Sequence, residues 1–539
     1  MNSLVLLVVG AILFLAAYAS YGAYLAKKWG IDPTRKTPAH EMYDGVDYVP
    51  ANKYVLLGHH FASIAGAGPI AGPIQAAIFG WLPVLLWILL GTIFVGGVHD
   101  FGSLLASIRH KGKSIGEIIE ANIGTTGKKL FNIFAWLTLV LVVAAFTSIT
   151  ADAFAATPAA GTASLLFILI AVLFGELVYR RNASLAVSTV IGVTLIFLSV
   201  WLGYKYPFMQ FDKITWQYIL LVYIFFASVL PVWLLLQPRD YLNSFLLYAM
   251  LIGGTLGIIL MHPTLKLEAF KGFSVTTSSG VQYLFPMVFV TVACGACSGF
   301  HSLVGSGTTA KQLSSESDAR FVGYGAMLIE GFLAIIALIS VAYVSKAEGS
   351  PATIFASGIA KFMTTFGIPE DFGKVFVTLA FTAFALTSLD TATRLGRYIF
   401  QEYFETKGEE KNPLSNKYIA TLVTIFGAYI LLAYGYQKIW PIFGSANQLL
   451  SALALLALTA WFVRTGKNPL MTLVPMLWMF AVTLSATLLL MKNFYKAGNY
   501  ILVLLSIALF VLAIVLMFVT YNTLKAAGKS GKTTSVKLD

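Results

Sequence analysis

Apolar stretches of about twenty residues recur from one end of the chain to the other, and they dictate its solvent. A bilayer core about 30 Å thick needs roughly 20 apolar residues per helix. Spans placed on that measure fall near 3–26, 54–79, 83–108, 130–150, 162–179, 183–204, 215–236, 241–261, 282–306, 321–345, 375–393, 418–435, 439–463, 469–491 and 499–523. With 58% hydrophobic and 11% charged residues, a water-soluble fold could not cover its apolar surface. The sequence predicts an all-α polytopic membrane protein of about 15 transmembrane helices in contact with lipid. The opening run MNSLVLLVVGAILFLAAYAS has no basic leader, so it reads as a retained helix rather than a signal peptide.

The net charge of +12 does not call for nucleic acid, because Lys and Arg sit in short connectors between the apolar runs. If the N-terminus is outside, the odd-numbered connectors and the tail hold most of the 36 basic residues, which predicts a cytoplasmic C-terminus. No connector is long enough for a soluble domain. Phosphate-binding glycine loops followed by soluble α/β sequence are absent too, which argues against ATP-driven transport and for no cofactor.

Span two reads KYVLLGHHFASIAGAGPIAGPIQAAIF, with Gly66, Gly68, Pro69, Gly72 and Pro73 inside eight residues at mid-membrane. Proline removes a helical hydrogen bond and glycine weakens the helix further. Unwound backbone at that depth is tolerated only where it lines a cavity or contacts protein, and its freed groups can bind a charged substrate or ion. The plainer reading is a kink. Span seven has a second candidate break at Pro231. Spans two and seven lie five helices apart and run in opposite directions, which predicts two inverted five-helix repeats over 54–204 and 215–393. They would be flanked by 1–53, by accessory helices in 394–523 and by a tail at 524–539. That core, with its broken helices, is LeuT-like and is similar to the amino acid–polyamine–cation transporter fold.

Ionisable groups at membrane depth are functional candidates by default. His59 and His60 enter span two, His99 and Asp100 lie in span three, His301 in span nine and Asp390 in span eleven. Imidazoles and carboxylates suit a proton relay, and the set His59, His60, His99, Asp100 and His301 also suits a metal. Asp390 and Arg394 are spaced for an i,i+4 ion pair, either an inner gate or a structural pair, with Arg397 on the same face. A hydroxyl stripe through Ser302, Ser306 and Thr309 could offer oxygens to Na⁺, or bond to its own backbone. Asn447 and Gln448 read as interhelical glue, the Cys294–Cys297 pair as small-residue packing, and Glu330 as a carboxylate of unknown partner.

The stretches GHHFASIAGAGPIAGP, GWLPVLLWILLGTIFVGGVHDF, SGFHSLVGSGTTAKQL, LTSLDTATRLGRY and IWPIFGSANQLL resemble the carbon starvation protein CstA family. The resemblance runs from residue 58 to residue 450. It implies a bacterial or archaeal inner-membrane transporter of peptides or, in some members, of pyruvate with protons. The leading expectation is therefore a proton-coupled symporter for a small carboxylate-bearing nutrient. Gly66, Gly68, Pro69, Gly72 and Pro231 would form the binding site. His59, His60, His99, Asp100, Asp390 and Arg394 would serve coupling or gating. A sodium-coupled transporter, a channel and a metal-dependent membrane enzyme are the rivals, and the residues leave oligomeric state open.

Overall fold

Where no water reaches backbone N–H and C=O groups, a helix is the way for one strand of chain to satisfy them all, and the apolar runs obey that constraint. The computed structural model describes residues 2–45, 48–231, 234–277, 280–344, 349–404 and 412–529. Among them, twelve helices are long and apolar enough to cross a bilayer, and the pair Lys53–Ile64 and Gly68–Phe79, bent by 46°, makes a thirteenth. Two further apolar helices, Lys213–Val229 and Lys417–Leu432, have 17 and 16 residues. Each of the fifteen expected positions thus carries an apolar helix. The last of them, Tyr500–Lys529, runs into the expected tail, whose residues 530–539 lie outside the described residues.

The connectors gather on two opposite faces. On one, Ser3 N–H donates to the Pro263 carbonyl at 3.0 Å, Lys271 N–H to Phe79 at 3.0 Å and Leu267 N–H to Ala342 at 3.1 Å. On the other, Arg109 pairs with Glu316 and donates to the Gly30 carbonyl at 2.8 Å, and a parallel bridge joins Ala51 to Leu313. The two longest helices, Thr125–Ala156 and Glu370–Phe404, pack along each other through the centre. A short helix precedes each, Ile115–Ile123 and Pro351–Met363. A small hairpin, Ser274–Thr277 with Gly280–Tyr283, leads into span nine.

The second interruption is not where spacing predicts it. Helix Lys213–Val229 ends before Leu230 and Pro231, and Leu236–Met261 begins the next span, so exposed Pro231 sits in a connector rather than in a broken helix. A proline disfavours helical backbone in the residue before it, and two arginines finish the stop. Arg394 donates to the carbonyls of Ala227 and Leu230, and Arg397 to that of Ser228, each at 2.7 Å. Cations placed on the carbonyl end of a helix offset its unpaired acceptors and its dipole. The break occurs instead in span nine, between Leu284–Val292 and Gly299–Gly307, where Ala293 has φ 45° and Ser298 is extended. No proline marks that spot, which is why spacing passed over it.

Candidate functional site

The two interruptions lie against each other. A methyl group on Gly72 would stand 2.3 Å from the Val292 carbonyl oxygen, and one on Gly68 would stand 2.6 Å from Cys294 Sγ. One on Gly66 would stand 2.3 Å from Ser388 Oγ. Gly72 therefore lets the broken helices touch backbone to backbone, Gly68 leaves room for the Cys294 side chain, and Gly66 faces span eleven. Pro69 opens the second half-helix in its first turn, where a missing N–H is tolerated. At the other break, Asn447 accepts from Phe300 N–H and donates to Ser298 Oγ, both at 3.0 Å. Gln448 donates to the Phe289 carbonyl at 2.8 Å. These amides are the interhelical glue expected of them, and they hold backbone groups that the break releases. Cys294 and Cys297 are buried and free.

Beside the crossing runs a string of buried ionisable groups from three spans. His99 Nδ1 lies 2.7 Å from Asp100 Oδ1, and His301 Nδ1 lies 2.8 Å from Asp100 Oδ2. The far side of the same ring, His301 Nε2, is 3.3 Å from Glu330 Oε2. Asp100 is 4% exposed and the other three no more than 1%. One imidazole between two carboxylates can take a proton from one and give it to the other through its two nitrogens. His60 Nδ1 meets Thr309 Oγ1 at 2.8 Å, and the ring stands within electrostatic reach of Asp100 and His301. His59 stands within reach of Asp240. Among the described residues, no three His, Cys, Asp or Glu side chains converge as metal ligands do. The His99 and His301 rings face the Asp100 carboxylate, and the His60 ring faces the Thr309 hydroxyl.

A second buried cluster surrounds Arg239. Its guanidinium pairs with Asp390, donates to the Tyr223 hydroxyl, and reaches Asp240 Oδ1 at 3.0 Å. The Tyr223 hydroxyl donates to Asp390 Oδ2 at 2.8 Å. The expected Asp390–Arg394 pair is not formed, because Arg394 is committed to the helix end at 227–230. Sequence reading missed Arg239 and Tyr223, although an arginine among apolar residues in LLLQPRDYL was a visible signal. The hydroxyls of the stripe have partners within the protein. Ser302 and Ser306 donate to the Gly299 and Ser302 carbonyls at 2.7 and 2.6 Å, and Thr309 meets His60.

The sequence is similar to those of proteins named as transporters. The family model described as Carbon starvation protein CstA matches residues 2–350 and 344–486. The chain is 32% identical over 565 residues to the peptide transporter CstA of Escherichia coli (strain K12), covering 90% of this chain and 80% of that protein. It is also 32% identical over 581 residues to the pyruvate/proton symporter BtsT of the same organism, covering 89% and 81%. The peptide transporter CstA of Bacillus subtilis (strain 168) is 31% identical over 595 residues, with 98% of this chain and 97% of that protein covered.

Proposed function

The chain belongs to the carbon starvation protein CstA family, and from that premise we propose that it is a secondary-active importer of small carboxylate-bearing nutrients, short peptides or pyruvate, driven by proton entry. It works by alternating access in the cell inner membrane, with the N-terminus outside. The observation that carries proton coupling is the string His99–Asp100–His301–Glu330. Buried ion pairs contribute little net stability, so four such groups packed beside two broken helices point to a moving proton. His59 and His60 stand between this string and the Asp240 side of the arginine cluster, which supports a coupling role for both.

The core divides into two inverted halves whose membership differs from the sequence-based division at 54–204 and 215–393. An interrupted helix starts each half, bent by 46° between Lys53–Ile64 and Gly68–Phe79 in one and broken at 293–298 between Leu284–Val292 and Gly299–Gly307 in the other. Each then has a span, a short helix, a long central helix, a 16- or 17-residue apolar helix and a final span. The hairpin Pro158–Gly175 with Leu185–Lys205 is an addition to the first half. Opposed halves around a midplane site are the geometry that rocking transport uses.

Proteoliposomes settle the matter. Labelled pyruvate, dialanine and trialanine are offered with an inward proton gradient, then again with a protonophore. Gradient-driven accumulation of at least one of them is expected, and it collapses with the protonophore. Accumulation that ignores the protonophore sinks proton coupling, and equilibration without accumulation makes the protein a channel.

A further inference from the structure

Arg239 lies in the first turn of Leu236–Met261, and it and Asp390 are wholly buried. A buried ion pair gains little over apolar packing, so this one calls for a reason beyond stability. Its geometry is that of an occupied seat. Two carboxylates, Asp390 and Asp240, share one guanidinium, so the set holds one more anion than cation. A guanidinium binds a carboxylate best through two parallel N–H groups, yet Asp390 engages Nη1 alone. Arg239 Nε and Asp390 Oδ1 are buried without a hydrogen-bond partner among the described residues. The Tyr223 hydroxyl supplies one more donor at the same spot.

The cluster also adjoins the first break. Asn243, one turn along from Arg239, donates to Thr387 Oγ1 at 2.9 Å and to the Ala383 carbonyl at 3.1 Å. The next residue on that helix, Ser388, is the one that faces Gly66.

We infer that Arg239, with Tyr223, is the seat for the substrate's carboxylate, and that Asp390 is the internal anion holding the seat until substrate replaces it. This inference rests on the importer reading above and names the group by which that importer recognises its cargo. The exchange balances. The Arg239–Asp390 pair opens, a proton adds to the Asp390 carboxylate, and the incoming carboxylate takes its place on the guanidinium. Local charge is then unchanged, so an anion enters the dry core only together with a proton. The charged and titratable groups facing Asp390 are Tyr223 from span seven and Arg239 and Asp240 from span eight, with His59 of span two reaching Asp240.

The test is equilibrium binding to purified full-length protein of labelled pyruvate and dialanine, and of uncharged methyl pyruvate, at pH 5.5 and 7.5. Wild-type protein is expected to bind the carboxylates more tightly at pH 5.5 and to prefer pyruvate over its ester. Asp390→Asn, which leaves Arg239 paired to Asp240, should bind at pH 7.5 at least as tightly as wild type does at pH 5.5, with no further change with pH. The charge-neutral double variant Arg239→Gln/Asp390→Asn should lose about tenfold to a hundredfold in pyruvate affinity, the range for a hydrogen bond to a charged group, and lose its preference over the ester. Wild-type selectivity in the double variant, or the wild-type pH shift in Asp390→Asn, overturns the seat while leaving the importer standing. Wild-type protein that binds none of the carboxylates overturns both.

Discussion

Glu330 illustrates what a residue acquires from its surroundings. In the sequence it is a lone carboxylate in span ten, and in the fold His301 stands 3.3 Å away with Asp100 on the ring's other side. If the string handles the transported proton, Glu330→Gln and Asp100→Asn should each reduce gradient-driven uptake to the downhill level. Exchange of internal for external substrate, which needs no net proton movement, should persist. Loss of exchange as well would make these residues structural. Asn447 offers a stability test at the same scale. Asn447→Ala leaves the Phe300 N–H and the Ser298 hydroxyl short of a buried partner, which costs about 1–3 kcal/mol, and thermal unfolding in detergent reads it. Asp390 and Arg394 show the limit of local reasoning. Their i,i+4 spacing on span eleven is right for a pair, but a guanidinium from span eight and the open end of span seven offer each a better partner.

At the scale of elements, the crossing of the two broken helices decides which glycines matter. A Cβ at Gly72 meets backbone, the Val292 carbonyl oxygen at 2.3 Å and that of Thr291 at 2.8 Å, and backbone does not rotate away. Gly72→Ala is therefore expected to cost about 1–3 kcal/mol through overpacking and to lose transport. Gly307→Ala, whose new methyl would meet Leu395 at an ordinary 3.5 Å, is the control and should stay within about 0.5 kcal/mol. Equal thermal shifts in the two variants would remove the close-contact role. The first break was legible because five glycines and prolines crowd eight residues of an apolar run. The second was not, because its backbone turns at Ala293 and Ser298 without proline and is held by amides from span thirteen. Pro231 misled for the opposite reason, since a proline at a span's end looks like one in its middle when the boundary is unknown.

Across the whole molecule, ion pairs tie one face together. Arg109 joins Glu316 and the Gly30 carbonyl, and Lys128 joins Glu117 with Glu120 at 2.8 Å and Glu402 at 3.1 Å. These contacts link the connectors after spans one, three and nine with the end of span eleven. Glu316→Gln should shift the population toward opening on that side, read as faster modification of a cysteine placed at Ser306 by a membrane-impermeant reagent added there. An unchanged rate would mean the face is held by packing alone. What the chain determined unaided is what lipid enforces residue by residue: helical conformation, span positions, and a first break where helix formers run out. Those properties depend on neighbours within about twenty residues. Partner choice does not. Asp100 and His301 are 201 positions apart, and Arg239 and Asp390 are 151. A buried charge settles on whichever opposite group the packing of distant helices brings within reach, so the site's pairings, and the location of the second break against the first, were decided only by the tertiary fold.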